Sequence, residues 1–194
     1  MSRVATARPG QAQARRGSWI LVVAGCVALL LRIRLSALPP DARAVSFLLL
    51  TGGILASALL VPIAGRADHA HVAPATGLAV GLAAVGLATA VSGPVIHAPF
   101  SRWAIPLTVI AAVAEEVLFR RVAYGWLLRW GAPVAVIGSA LAFAVLHVPL
   151  YGIAVLPVDL GAGLLLSWQR WATGTWTVPA ATHAAANVIA TVLR

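Results

Sequence analysis

The sequence predicts an all-α fold: a polytopic transmembrane bundle of about seven helices (six to eight), with a polar site built from helices in the C-terminal half. Two observations lead there. Of the 194 residues 61% are hydrophobic and only 10% are charged, whereas soluble domains carry roughly a quarter charged residues. Mean hydropathy is +0.94. The apolar runs also recur at close to the roughly 20 residues that a helix needs to cross a bilayer core.

On that ruler the spans fall at 18–38, 45–64, 74–94, 103–130, 132–150, 152–171 and 175–193. Pro39-Pro40, Gly65-Arg66, the stretch from Pro94 to Pro99, Gly131-Ala132-Pro133 and Thr173-Gly174 punctuate them. Residues 1–16, MSRVATARPGQAQARR, are polar and read as a disordered tail. Arg15 and Arg16 precede the apolar run Trp19–Leu31 as in a signal peptide, but Arg32 and Arg34 follow it in place of a small-residue cleavage site, so a retained first span is expected. Residues 17–102 then hold N-terminal transmembrane helices, and 103–194 form the core that carries the site. Trp103, Trp126, Trp130, Trp168, Trp171 and Trp176 fall near predicted helix ends, as an interfacial aromatic belt would.

The net charge of +9 comes from 14 arginines and no lysine, set mostly at the ends of apolar runs. That is the pattern of a membrane orientation signal rather than of a nucleic-acid surface, so no nucleic-acid partner is expected. The balance favours a cytoplasmic N-terminus, in a chain embedded in membrane lipid, of bacterial cell-membrane type. A single cysteine, Cys26, excludes an intrachain disulfide and any cysteine-based zinc cluster.

Against this background AAVAEEVLFRR, residues 111–121, stands out, because it holds the only two glutamates of the chain side by side in an apolar run. An ionised group at mid-helix costs about 2.5 to 3.5 kcal/mol on insertion scales and usually faces a bundle interior. Three i,i+4 pairs occur in order: Glu116 with Arg120, Phe143 with His147, and His183 with Asn187. On a helix each pair shares one face. Glu116 precedes Arg120 in the orientation that favours an ion pair, which leaves Glu115, about 100° around the axis, as the candidate general base toward water. Depth supports a common site. At about 1.5 Å per residue, Glu115 and His147 lie about 22 Å from one membrane face and His183 about 16 Å from it. Asp159, about 18 Å from the same face, is a candidate partner for one of these His or Arg residues, unless Pro157 marks a break that lets it reach water. His69, His71 and His97 fall in connecting segments and are left out of the site.

EEVLFR (115–120), FAVLH (143–147) and HAAAN (183–187), in that order, resemble the EExxxR, FxxxH and HxxxN motifs of the CPBP intramembrane proteases, the group of CAAX prenyl endopeptidases and bacteriocin-processing or self-immunity proteins. TGTWTVP before the third motif is similar to the family's approach to it. The resemblance spans about residues 103–193 and implies that this segment is a protease-like core. Residue by residue it implies that Glu115 activates the hydrolytic water with help from His147. His183 and Asn187 would hold water or stabilise the oxyanion, and Glu116 with Arg120 would support them. Arg121 stands where the family commonly has glycine. The group is often described as metalloproteases, and Glu115, His147 and His183 offer the two-imidazole, one-carboxylate set that zinc hydrolases use. A divalent metal such as zinc and a metal-free, glutamate-activated water are both open on the sequence.

The expected function is therefore an intramembrane endopeptidase acting on a peptide or membrane-protein substrate. Two other classes are weighed: a non-catalytic immunity or scaffold partner that keeps the fold, and an ion-coupled transporter, which the lack of a repeat of the motif helices in 18–94 disfavours.

Overall fold

The computed structural model describes residues 70–92 and 104–193, together with helical residues 20, 23–25, 27, 31, 51–56 and 58–59. The predicted tail, Cys26, most of spans 18–38 and 45–64, Trp103, His69, His97 and most arginines of the orientation argument lie outside these residues. Every regular element among the described residues is helical. Helix α1 runs Pro74–Ser92 and α2 runs Ala104–Glu116. From α2 the chain continues through a π-helical stretch Val117–Ala123, one α turn Tyr124–Leu127 and a 3-10 turn Leu128–Trp130. Helices α3 (Ala132–Tyr151), α4 (Leu156–Thr173) and α5 (Thr177–Val192) come next. The architecture is a helical bundle in which α3 packs chiefly on α4, α2 on α5, and α1 on α5 and α4.

Two departures from the predicted spans matter. The run expected as one helix over 103–130 widens to π geometry immediately after Glu116, a form that occurs mostly as short bulges and often at functional sites. The helix expected from 152 begins at Leu156, because a 3-10 turn Ile153–Val155 precedes it and Pro157 sits in its first turn, where a missing N–H costs nothing. Gly131, Gly152 and Gly174 are the positive-φ residues among the described residues, and they close the three loops between α2 and α5 where a Cβ would strain the backbone.

Among the described residues two helices, Pro74–Val91 and Ala132–Tyr151, are long and apolar enough to cross a membrane. The α2 run and α4 carry most of the charged groups: Glu115, Glu116, Arg120 and Arg121 on the α2 run, and Asp159 and Arg170 on α4. Two apolar clusters hold the α2 run in place. Leu118 and Phe119 pack with Phe143 of α3, and Val117 and Val122 pack with Ala58, flanked by Leu55 and Trp176.

Helix α1 docks through a bare glycine face. The amide of Gln169 donates to the Gly77 carbonyl and to Thr182 Oγ1, both at 2.8 Å, tying α1, α4 and α5 at one point. A methyl group added at Gly81 would collide with Gln169 and Thr182, and one at Gly77 with Thr173. Backbone bonds from the His71 and Val72 amides to the Ala172 carbonyl, at 2.7 and 3.0 Å, fix the entry to α1. His71 itself rests against Trp171, with ring centroids 4.5 Å apart. Gly81→Ala is therefore expected to destabilise the protein by about 1–3 kcal/mol through overpacking. Gly86→Ala on the same helix, with open space at its Cβ, should be neutral or stabilise by up to about 1 kcal/mol through helix propensity. Reversible unfolding of the two variants in mixed micelles measures the contrast.

Candidate active site

The site forms where the end of α2 meets α3, α4 and α5. Glu115 and Glu116 close the α segment of α2, and both are buried. The Glu116 and Arg120 side chains are 0% exposed; Nη1 donates to Oε1 at 3.2 Å and Nε lies 3.2 Å from Oε2. This is the predicted i,i+4 pair, and it persists across the change to π geometry. The guanidinium also donates through Nη2 to the Gly163 carbonyl of α4 at 3.2 Å and lies 4.7 Å from the centroid of the Phe143 ring of α3. Gly163 permits that reach because its bare Cα lets α4 approach α3 closely: a Cβ there would stand 3.0 Å from the Ala140 carbonyl oxygen. Ser139 and Ser167, hydrogen-bonded at 2.9 Å, continue the same seam.

His183 of α5 ties the two acids together. Its Nδ1 lies 2.9 Å from Glu116 Oε1, and its Nε2 lies 3.9 Å from Glu115 Oε2. Glu116 is thus the partner of His183 as well as of Arg120. From α3, His147 presents Nε2 to Glu115 Oε2 at 3.7 Å, while its Nδ1 lies 2.8 Å from the Phe143 carbonyl one turn back. Phe143 walls the site, with its centroid 4.3 Å from the His147 ring and 5.7 Å from that of His183. Tyr151 stacks on the far side of His147 at 5.8 Å.

A carbonyl only accepts, so His147 Nδ1 carries the proton; a carboxylate only accepts, so His183 Nδ1 does as well. In the neutral rings both Nε2 atoms are then acceptors, and both face a carboxylate oxygen that is also an acceptor. Gaps of 3.7 and 3.9 Å exceed hydrogen-bond length and suit a molecule placed between the groups. The same three atoms are of the donor types zinc takes. Among the described residues no group of three or more His, Cys, Asp or Glu is found arranged to hold a metal ion.

Five of the six predicted residues, Glu115, Glu116, Arg120, His147 and His183, therefore converge. The sixth, Asn187, lies one turn beyond His183 on α5. Its carbonyl accepts from Thr191 Oγ1 at 2.7 Å, and its side chain makes no hydrogen bond to the cluster among the described residues. Arg121 donates to the Ala58 carbonyl, away from Arg120. Asp159, in the first turn of α4, makes no hydrogen bond to a motif His or Arg among the described residues, yet lies within electrostatic reach of His147, Glu115 and His183. Sequence reasoning missed the Gly163 carbonyl, Tyr151 and Arg170, whose Nε donates to the Arg120 carbonyl at 3.2 Å. Tyr151 had a signal, since it stands four residues after His147; the other two depend on how α4 registers against its neighbours.

An apolar helical bundle with this buried centre of carboxylates, imidazoles and one guanidinium has the groups a membrane-embedded hydrolase would use. Residues 97–189 match the family model described as type II CAAX prenyl endopeptidase Rce1-like, of the CPBP group. No curated protein and no solved structure matches the chain.

Arg120→Met, which strands the Glu116 charge in the core, should cost about 3–5 kcal/mol. The double variant Glu116→Gln/Arg120→Met should be more stable than Arg120→Met alone. A double-mutant cycle on unfolding free energies measures the coupling.

Proposed function

We propose that the chain is an intramembrane endopeptidase that hydrolyses a peptide bond in or at the edge of the bilayer with a water activated by Glu115. The single observation that carries this reading is the convergence of three acceptors, Glu115 Oε2, His147 Nε2 and His183 Nε2, around gaps of 3.7 and 3.9 Å. Water, with two protons to give, can serve two of these acceptors at once, Glu115 and His147. Glu115 takes a proton from it as the water oxygen bonds to the substrate carbonyl carbon, and His147 Nε2 orients the second O–H. The oxyanion that forms needs a donor, which the Asn187 amide supplies, or His183 once its Nε2 is protonated. Glu116, held by Arg120, fixes the His183 ring through Nδ1, as outer carboxylates orient reactive imidazoles elsewhere. Collapse of the intermediate breaks the C–N bond, and the proton held by Glu115 passes to the leaving nitrogen.

Exposure divides the roles. Glu115, His147 and His183 keep 7, 9 and 11% of their side-chain surface, whereas Glu116 and Arg120 keep none. Of these five, substrate can reach the first three only. The family description names CAAX prenyl endopeptidases; for this chain the substrate is a peptide or membrane-protein segment presented from the lipid, with the N-terminus of the enzyme in the cytoplasm of a bacterial cell.

Glu115→Gln keeps size and hydrogen bonding but removes the base, so cleavage should fall by at least about 10²-fold, within the range ascribed to general-base catalysis, while insertion and unfolding midpoint stay close to wild type. Membrane proteomes of cells carrying wild-type or Glu115→Gln protein should differ in new peptide N-termini present only with the former. Full activity in Glu115→Gln would end this mechanism. Dialysis of the purified enzyme against a strong chelator should leave turnover in place; loss restored by zinc would instead make the three residues ligands.

A further inference from the structure

The two imidazoles of the site are held differently. His183 Nδ1 is bound to Glu116, which Arg120 holds in turn. His147 Nδ1 has instead a backbone partner, the Phe143 carbonyl at 2.8 Å. It also stands on a part of α3 whose own ladder is incomplete, because Pro149, inside the helix, has no N–H to give to the Val145 carbonyl. A ring tied by one bond can still swing about its Cβ–Cγ axis, a torsion with broad wells.

Aromatic rings restrain that swing from two sides. Helical side chains lean toward the N-terminus, so residues four apart lie one above the other, and Phe143, His147 and Tyr151 make a ladder of three rings along α3. Phe143 lies 4.3 Å from His147 at a tilt of 41°, and Tyr151 lies 5.8 Å from it and nearly parallel, at 15°. The Tyr151 distance falls within the range of offset-stacked ring pairs. Phe143 belongs to the buried core, where it packs on Leu118 and Phe119. Tyr151 does not: it closes α3 before Gly152 and is 62% exposed. Among the described residues its one ring contact is with His147, and its hydroxyl makes no hydrogen bond. The imidazole beneath it keeps only 9% of its side-chain surface.

We propose that Tyr151 is a positioning residue of this site, whose ring holds the His147 imidazole against Phe143 so that Nδ1 stays on the Phe143 carbonyl and Nε2 stays turned to Glu115. It acts through His147 and does not itself meet the reacting atoms. The kinetic consequence rests on the endopeptidase reading, whereas the orientation of the ring is a property of the fold alone.

The test uses the full-length protein in lipid nanodiscs with a library of hydrophobic dodecapeptides that carry a fluorophore and a quencher at their two ends, kinetics being followed on the member that wild type cleaves fastest. Because Tyr151 is exposed, its variants should insert and unfold as wild type does. Misplacing a reactive group is costly to rate, so Tyr151→Leu, which keeps apolar bulk but no ring, should lower kcat about 10-fold with KM within about twofold of wild type. Tyr151→Phe, which keeps the ring, should retain kcat within about twofold. Unchanged kcat in Tyr151→Leu, an equal loss in Tyr151→Phe, or a loss carried by KM overturns the proposal, the last because it would make the tyrosine a substrate contact. The ring itself is read by nitrogen NMR on isotope-labelled histidines, with the His147 signals assigned by their loss in His147→Gln. Neutral His147 should carry its proton on Nδ1 alone in wild type and in Tyr151→Phe, and on either nitrogen in exchange in Tyr151→Leu. A single unchanged tautomer in Tyr151→Leu overturns the proposal. Should wild type cleave no peptide, the endopeptidase reading fails, and the tautomers still decide whether Tyr151 positions His147.

Discussion

Everything in the C-terminal half is organised by one buried ion pair, Glu116 with Arg120. Removing two charges from water costs several kcal/mol per ion even after relaxation, and their attraction offsets this only if their remaining hydrogen-bonding capacity is met. Here three other elements contribute: the Gly163 carbonyl of α4 and His183 of α5 through hydrogen bonds, and Phe143 of α3 through the face of its ring, while Glu116 Oε2 and Arg120 Nε keep only their contact with each other. The backbone of the same arginine is held as well, since its carbonyl accepts from Arg170. A single side chain is thus where α2, α3, α4 and α5 agree on their relative positions. Each of those contacts would lose its partner if one helix shifted by a turn.

The pair also sets the chemistry of its neighbour. Because Glu116 is neutralised and fully enclosed, it is available to hold the His183 ring without competing for substrate. Glu115, adjacent in sequence but turned about 100°, faces the opening between His147 and His183. Two consecutive carboxylates consequently occupy unlike environments, a means by which one site keeps one acid structural and another reactive. The π-helical stretch begins at the very next residue. Its extra residue per turn re-aims the side chains beyond Glu116, so that Arg120 turns inward to Glu116 and Gly163 while Arg121 reaches Ala58.

Much of this was legible in the residues. The bilayer ruler placed α1, α3 and α5 within a few positions of their ends, because apolar length is a local property. The i,i+4 spacing paired Glu116 with Arg120, because helix geometry is local too. What the sequence left unread is non-local. Nothing in EEVLFRR announces a π turn, and the Gly163 carbonyl accepts Arg120 only because α3 and α4 touch at Ala140. That His183 reaches Glu116 as well as Glu115 depends on the rotation of α5 about its axis, to which spacing within α5 is blind. Gln169 illustrates the same limit: a lone amide in an apolar run, it joins α1 to α5 through partners 92 and 13 residues away.

The distribution of hydrophobicity obeys the same constraint. A reactive centre inside a bilayer requires polar groups where each is expensive, and the α2 run and α4, which supply most of them, do not qualify as spans by length and composition alone. The two helices that do, α1 and α3, lie beside them: α3 covers Arg120 with Phe143, and α1 covers Gln169 and Thr182 with its glycine face. Apolar helices therefore do more than cross the membrane. They shield polar side chains that would otherwise meet lipid, and they do so with small residues or aromatic rings that add no competing donor. Among Glu115, Glu116, Arg120, His147 and His183, polarity is left exposed only at Glu115, His147 and His183, so access to the cluster is confined to one face without a wet interior throughout.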